Sequence, residues 1–188
     1  SLYPFHVDCI DTDARCEELL LSRWPLDRMS AERVAGALPM VVTARLHLDH
    51  GITIDIALSH VVRPLTRRRP SATATYLPAT AATAQSEQAA RLALRLSQLG
   101  PDAIFLGDLN ATPWSPLLRA LRQAGDWHPE TDIYPTWPSW ASAPLRLPID
   151  HVLTRGRAEL TGLTSGPDVA SDHLPLEADV IVHGKSPE

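Results

Sequence analysis

AIFLGDLNATPWSP, residues 103–116, decides the predicted fold and the position of its chemistry. The short apolar run AIFL is typical of a buried strand, and Asp108 and Asn110 follow it two residues apart. Gly107, between the run and the first carboxylate, gives the backbone freedom to bend. We therefore expect the strand to end with both polar side chains turned toward one pocket.

The other patterns predict a layered mixture of strands and helices. Two β-rich runs, 39–48 and 52–58, are separated by a segment whose Gly51 suits a tight hairpin, so they form the clearest antiparallel pair. Segments 63–83 and 127–148 are predicted to be loops. Further strands are predicted at about 17–22, 103–106, 149–154, 158–164 and 174–182, and helices at about 83–99 and 115–124. This set indicates an α/β fold of the layered α+β type.

Bulk composition limits the classes of function. The 188 residues are 44% apolar, which allows a sizeable core and suggests a single domain over residues 1–188. A formal net charge of -5 argues against a general nucleic-acid coat, which needs a surplus of Lys and Arg. No stretch approaches the roughly 20 apolar residues that span a bilayer, and none is typical of a signal peptide. Nucleophile-elbow, P-loop and dinucleotide-binding motifs are absent.

Three more segments place polar side chains at the ends of apolar runs. His60 ends the second strand of the hairpin, Asp150 opens a later strand, and Asp172 and His173 precede the last strand. An Asp next to a His fixes the tautomer of the imidazole and raises its basicity. Phosphodiester cleavage needs oxygen ligands around a hard divalent cation and a base that activates water. Each signal alone is most often structural, so the combination carries the hypothesis.

In order along the chain, the segments SH, GDLN, IDH and SDH resemble the motifs of the endonuclease/exonuclease/phosphatase family. GDLNATPWSP, residues 107–116, is a close match to the most specific of these motifs, and LLSRWPL, residues 20–26, resembles the end of an early central strand. The resemblance implies a DNase I-like β-sandwich flanked by helices and lacking its first strands. It also implies a metal-dependent phosphodiesterase or nuclease that uses Mg²⁺ or Mn²⁺, with this chain as the C-terminal two thirds or more of the family fold.

The resemblance assigns roles to the motif residues. His173 would be the general base, with Asp150 orienting it, and Asp108 would position the attacking water. Asn110 and His60 would contact the scissile phosphate, and preorganised donors of this kind are commonly the largest catalytic term. The implied catalytic residues are His60, Asp108, Asn110, Asp150 and His173, and the implied metal ligands are Asp108 and Asp172.

One departure from the family pattern concerns the metal. Family members carry an Asn on the first strand and a metal-binding Glu soon after it, and neither is found before the segment that begins at Leu20. Glu17 and Glu18 lie too close to that segment, and Glu32 follows it. Because Mg²⁺ is usually held by only one or two carboxylates, losing one should weaken binding severely. The alternative function is therefore a catalytically inactive binding or interaction domain with the same fold.

The same resemblance has consequences outside the site. We expect an altered sheet, a partner chain or an N-terminal segment to cover the sheet face that missing strands would expose. The chain is similar to membrane-anchored bacterial branches of the family, which implies an extracytoplasmic domain anchored through a segment outside this chain. A disulfide between Cys9 and Cys16 would suit that location, although the residues alone leave two free thiols equally open. The phosphodiester substrate would be a nucleic acid or a phospholipid.

Three further groups of residues support weaker hypotheses. Arg63 and the arginines at 67–69 would bind phosphates or lie on a solvated loop, and the loop is favoured. His47, Asp49 and His50 would form a second metal site or an ordinary strand and turn surface. The surface is favoured because a clear third and fourth ligand are lacking. The tryptophans would stack on bases or pack on the domain. These groups are Arg63 with 67–69; His47, Asp49 and His50; and Trp127, Trp137 and Trp140.

Overall fold

The computed structural model describes residues 2–9, 18–33, 40–63, 78–128 and 132–184. Its strands are β1 (Phe5–Asp8), β2 (Leu19–Ser22), β3 (Leu26–Arg33), β4 (Met40–His47), β5 (Thr53–His60), β6 (Ala103–Asp108), β7 (Asp150–Arg155), β8 (Ala158–Ser165) and β9 (Leu176–Val182). Its α-helices are α1 (Pro78–Leu96) and α2 (Pro116–Gly125), and two short 3-10 turns lie at Asp49–Gly51 and Ala143–Leu145. Within these ranges, no helix combines the length and apolar character that crossing a bilayer requires.

A five-stranded sheet positions the site residues. Its strand order is β3-β4-β5-β6-β7, with β5 and β6 parallel and the other neighbours antiparallel. β4 and β5 form the predicted hairpin through the turn at Asp49–Gly51. In the register of the sheet, His60 lies beside Asp108 and Asp108 lies opposite Asp150. Three predicted site residues therefore lie side by side at the same end of three adjacent strands.

Two hairpins pack on one face of the large sheet. The hairpin β1-β2 contributes Val7 and Leu20 to a core that also contains Ile54 and Ile56 of β5, and β8 contributes Ala158 to the same core. Burying one such aliphatic side chain stabilises the fold by about 1.5–3 kcal/mol. The two layers confirm the predicted α+β sandwich.

An open cleft lies over the middle of the large sheet on this face. It has a volume of about 410 Å³, and its apolar walls come from β2, β5, β6, β7 and β9. The wall side chains are Leu19, Leu58, Leu106, Val152 and Leu176. The cover over an exposed sheet face that the resemblance implies, by a partner chain or an N-terminal segment, stays a prediction.

Both helices cover the opposite face of the sheet. Leu92 and Leu96 of α1 and Leu118 and Leu121 of α2 are buried in one core with Phe105 of β6. The side chain of the residue before α2 accepts a hydrogen bond from the third residue of the helix at 3.1 Å. This N-cap and the proline that follows it confirm the start predicted for α2.

Several elements differ from the prediction. α1 begins at Pro78, inside the segment predicted to be a loop, and residues 64–77 of that segment lie outside the described residues. The sequence patterns do not predict β1 or β3. The polar strand β3 lies at the sheet edge and has a register shift between Asp27 and Ser30, which removes the alternation that identifies strands.

Gly107 is required for a different reason from the predicted one. A Cβ atom at this position would lie 2.2 Å from the carbonyl oxygen of Ser59 on the neighbouring strand. The glycine therefore permits the close approach of β5 and β6, and the left-handed backbone occurs instead at Asn110, with a φ of 46°.

The structure describes one of the two cysteines of the predicted disulfide. Cys9 is fully buried and is disulfide-bonded. Cys16, the other of the two cysteines in the sequence, lies outside the described residues.

Candidate active site

Three of the predicted site residues form one compact group. One ligand atom from each of Asp108, Asp150 and His173 lies within 4.8 Å of the other two. The Nδ1 atom of His173 lies 2.8 Å from Oδ2 of Asp150, and its Nε2 atom lies 3.8 Å from Oδ2 of Asp108. The imidazole is therefore held by one carboxylate and directed at a second one.

The loop before β7 fixes the orientation of this pair. Thr136 is fully buried, and its hydroxyl donates a hydrogen bond to the same Oδ2 atom of Asp150 that pairs with His173. The ring of Trp137 lies 6.4 Å from that of His173, and the amide of Leu174 donates to the carbonyl of Thr136 at 3.0 Å. Sequence reasoning missed Thr136, because only the folded loop brings it next to β7.

Asn110 holds the neighbouring carboxylate and histidine in place. Its backbone amide donates to Oδ1 of Asp108 at 2.8 Å, and its side-chain Nδ2 lies 3.2 Å from Oδ2 of the same carboxylate. Nδ2 also donates to the carbonyl of Val61 at 2.8 Å and lies 3.2 Å from Nε2 of His60. Asn tolerates the left-handed backbone found here better than most residues do. Asn110 thus positions the two groups beside it.

A second set of contacts, which sequence reasoning missed, fixes the loop after β6. Gln85 of α1 donates to the carbonyl of Asn110 at 3.1 Å, and Gln88 accepts from the amide of Val62 at 3.2 Å. Nε2 of the buried His151 lies 2.7 Å from the carbonyl of Ala111. No local pattern distinguishes these residues from ordinary helix and strand positions, so the sequence offered no signal for them.

Electrostatic conditions in the group favour a cation. Burial and the nearby charge of Asp150 raise the pKa of Asp108, against the opposing effects of the Asn110 amide and of His60 and His173. The hydrogen bond to Asp150 is the main cause that raises the pKa of His173, helped by the surrounding carboxylates and opposed by burial. Two carboxylates that repel each other in a partly buried site are stabilised by added positive charge.

The donor set fits a hard divalent cation in its chemistry. Mg²⁺ prefers carboxylate oxygens and is usually held by one or two of them, and Asp108 and Asp150 supply two at the wall of the cleft described above. His60 lines this cleft too. Glu18, which its place in the sequence excluded as the missing ligand, also lines the cleft.

Asp172 is the predicted metal ligand that does not join the group. Its side chain is 60% exposed, and its carboxylate lies 3.7 Å from Nη2 of Arg63. The candidate ligand group in the described part of the chain includes Asp150 in its place. The role of Asp172 as a metal ligand stays a prediction, whereas the neighbouring residue His173 belongs to the group.

The weaker hypotheses have separate outcomes. His47 forms an ion pair with Asp27 at 3.0 Å, and the candidate ligand group found among the described residues does not include it, so the second metal cluster is not supported. Trp127 is buried against Phe105 and packs on the domain, whereas Trp140 is 82% exposed. Residues 67–69 lie outside the described residues.

Comparison with known proteins agrees with the geometry. The sequence model of the Endonuclease/Exonuclease/phosphatase family matches residues 19–173, which include all of the predicted site residues. None of the curated proteins compared matches the chain.

Solved structures share the fold at low sequence identity. An endonuclease/exonuclease/phosphatase from Bacteroides vulgatus is 12% identical with a TM-score of 0.70, and the match covers 95% of this chain and 76% of that one. The mannosyl-6-phosphatase Bt3783 from Bacteroides thetaiotaomicron is 15% identical with a TM-score of 0.59, covering 87% and 70%. Sphingomyelinase C from Streptomyces griseocarneus is 19% identical with a TM-score of 0.56, covering 85% and 66%. At these identities the likeness concerns the fold.

Proposed function

This chain belongs to the endonuclease/exonuclease/phosphatase family, and from that premise we propose that it is a divalent-metal-dependent phosphoester hydrolase, more specifically a phosphodiesterase or nuclease. The observation that carries the proposal is the group formed by Asp108, Asp150 and His173, whose ligand atoms lie within 4.8 Å of one another. Members of the family generally use a divalent metal ion. The proposed ion is Mg²⁺ or Mn²⁺.

His173 is the proposed general base. Its Nδ1 atom donates to Asp150, so in the neutral imidazole Nε2 carries a free lone pair on the side of Asp108. A water molecule that hydrogen-bonds to Nε2 can lose its proton to this atom as it attacks phosphorus. The bond between phosphorus and the leaving ester oxygen breaks, and that oxygen takes up a proton from solvent. The carboxylate of Asp150 then stabilises the imidazolium that forms.

Asp108, Asn110 and His60 act around the attacked phosphate. Asp108 accepts a hydrogen bond from the same water and orients its lone pair. His60 lines the cleft, with its Nε2 3.4 Å from Oδ2 of Asp108, and is a proposed contact of the phosphate. Asn110 holds the side chains of His60 and Asp108 in position. Fixed donors at the position where negative charge develops lower the barrier without reorganisation during the reaction.

The metal ion would be held by Asp108 with Asp150 close by, and Asp172 is the further ligand that the motifs predict. When bound, it would supply Lewis-acid stabilisation of the phosphate oxygens. The substrate is proposed to be a phosphodiester of a nucleic acid or a phospholipid. The names of similar structures, a sphingomyelinase and a sugar phosphatase, support phosphoester chemistry but do not choose between these substrates.

The test is hydrolysis of bis(p-nitrophenyl) phosphate with Mg²⁺ or Mn²⁺ and with EDTA. We expect metal-dependent turnover that falls roughly 100-fold or more in Asp108→Ala and His173→Ala, since general acid–base groups contribute about 10²–10⁴-fold. His183→Ala and Asp179→Ala are matched controls, because both side chains lie on the exposed β8-β9 hairpin region.

The outcomes of this test distinguish a hydrolase from a binding domain of the same fold. Full activity in folded His173→Ala would contradict its role as the base. The absence of metal-dependent turnover, with both this ester and nucleic acid and phospholipid substrates, would favour the second candidate, a binding domain of the same fold. That candidate draws support from the ligand group, which in the described residues contains two carboxylates and no Glu. Circular dichroism confirms folding of each variant.

A further inference from the structure

A groove with many arginines lies between α1 and the strands β3 and β4. One cavity of about 300 Å³ and a neighbouring one of about 450 Å³ share Arg95 and Gln98 as walls. Their linings contain five arginines and two carboxylates, which gives a charge of +3 within a chain of formal net charge -5. We call this the arginine groove, and its cationic residues are Arg28, Arg33, Arg45, Arg91 and Arg95.

The arginine groove is separate from the candidate active site. Asp55, which lines the smaller cavity, lies near the start of β5, and His60 lies at its end. Five residues of strand span about 17 Å at 3.3 Å per residue. The arginine groove also lies on the helix-covered face of the sheet, since Asp55 alternates with Ile54 and Ile56, which belong to the core under the hairpins.

A β-bulge brings Arg28 into the groove. Asp27 pairs with Arg45 in the strand register and forms an ion pair with His47, so its side chain lies on the helix-covered face. Regular alternation would place Arg28 on the opposite face, but the register shift and a φ of 49° put it in the lining of the smaller cavity. Left-handed backbone at a residue other than Gly is strained and persists where the surrounding structure enforces it.

The floor of the groove is a rigid ion pair. Arg45 contacts Asp55 through Nε at 2.6 Å and Nη2 at 3.0 Å, and the amide of Gly100 donates to the same carboxylate at 2.6 Å. Burial alone would raise the pKa of Asp55, but these bonds and the charges of Arg45 and Arg28 lower it. Asp55 is therefore ionised and already saturated with donors.

The wall formed by α1 keeps cationic groups available. Arg95 donates to Glu32 and to Oε1 of Gln98, both at 3.0 Å, which leaves the amide Nε2 of Gln98 as a donor. Arg28 and Arg91 make no hydrogen bond or ion pair with other groups in the described ranges of the chain. Two guanidinium groups and an amide thus border the cavities with donors for an anion, above a floor that is fully paired.

We propose that the arginine groove binds a phosphate group, either as free phosphate or as the end of a small phosphomonoester. Guanidinium forks match the oxygens of a phosphate geometrically and pair with them bidentately. The dianion would contact Arg28 and accept from Gln98 in the smaller cavity, with the charge of Arg91 in the neighbouring cavity adding to the attraction. This site does not depend on the proposed hydrolase activity.

The test is a titration of the ¹⁵N-labelled chain with inorganic phosphate, in EDTA, followed by amide chemical shifts. We expect saturable shifts at Thr43, Gln98 and Gly100, which line the arginine groove. Binding should weaken about tenfold or more in Arg28→Gln and further in Arg28→Gln with Arg91→Gln, since each substitution removes a guanidinium charge from the groove. Arg119→Gln, an exposed arginine of α2, is the matched control.

The arms of the titration separate the outcomes. Tighter binding of glycerol 3-phosphate than of phosphate would identify a phosphomonoester as the ligand, and the reverse would identify the free ion. Equal shifts with sodium chloride at the same ionic strength would overturn the proposal, as would unchanged binding in the double variant. Shifts confined to Leu109 and Asn110 would place phosphate at the candidate active site alone and also overturn it. Loss of hydrolysis in the earlier test leaves this readout unaffected.

Discussion

The side chain of His173 lies between two carboxylates that have different functions. Asp150 accepts from Nδ1 at 2.8 Å and fixes the ring, and Oδ2 of Asp108 lies 3.8 Å from Nε2. The pair with Asp150 raises the pKa of His173. A stronger base results, and the deprotonated form that accepts a proton is populated at higher pH than for a free histidine, whose pKa is about 6.5.

Replacing the orienting carboxylate should reverse this shift. In Asp150→Asn the pKa of His173 should fall toward about 6.5, because the charge that favours the imidazolium is removed. The measurement is an NMR titration of the imidazole protons in EDTA. Glu159→Gln removes the carboxylate that pairs with exposed His183 at 2.8 Å and should leave His173 unchanged. An unaltered pKa for His173 in Asp150→Asn would contradict the assigned pair.

The same pair has a consequence for stability with a definite sign. Because the pKa of His173 is raised on folding, its contribution is complete below its unfolded value of about 6.5 and is lost as pH rises through the folded value. The loss of unfolding free energy in Asp150→Asn should therefore be larger near pH 6 than near pH 9.

At the scale of elements, one arginine joins the ends of both helices to β7. Arg155 donates to the carbonyls of Gly100 at 2.7 Å, Leu99 at 3.1 Å and Gly125 at 3.0 Å. Its guanidinium lies 4.7 Å from the ring of Trp127. Helix C-termini leave carbonyls without intrahelical partners, and this side chain donates to carbonyls at the end of α2 and just after α1.

Removing the guanidinium group of Arg155 should destabilise the layer formed by α1 and α2. We expect Arg155→Ala to lower the free energy of unfolding by about 2–4 kcal/mol, because several buried carbonyls lose a charged donor. Arg155→Lys should recover only part of this loss, since an ammonium cannot reproduce the planar fork. Urea denaturation measures both. Arg119→Ala on the exposed face of α2 should stay within about 0.5 kcal/mol of the parent, and an equal midpoint for Arg155→Ala would refute the role.

For the whole molecule, the fold keeps an acidic pair at the wall of an open cleft. Asp108 and Asp150 face each other across β6 and β7, and burial with mutual repulsion raises the pKa of Asp108. A raised carboxyl pKa means that ionisation destabilises the folded state at neutral pH. A bound cation removes that cost, so metal affinity and global stability are linked.

Neutralising Asp108 should therefore have opposite effects with and without metal. In EDTA, Asp108→Asn should raise the free energy of unfolding by about 0.5–2 kcal/mol, or roughly 2–4 °C in midpoint per kcal/mol, since an acceptor for the amide of Asn110 remains. Mn²⁺ should raise the midpoint of the parent chain but not that of the variant. Thermal unfolding by circular dichroism tests this, and the idea fails if Mn²⁺ stabilises both chains equally.

Features that depend on neighbours along the chain could be predicted from the amino-acid sequence. The hairpin of β4 and β5, strand β6 and the capped start of α2 follow from periodicity, Gly51 and Ser115, which act over a few residues. The order of the motifs SH, GDLN, IDH and SDH identified the family and the residues that form the compact group. These are local signals, and folding preserves them.

Contacts between side chains far apart in the sequence became visible only in the folded chain. The fold joined Thr136 to Asp150 and turned Asp172 toward Arg63. It also assigned Gly107 to a close strand contact and brought Arg28 through a bulge to the wall of a groove bordered by α1. Each of these depends on the register and packing of elements tens of residues apart, which no local pattern encodes, because hydrogen bonds and steric contacts act through space and not along the chain.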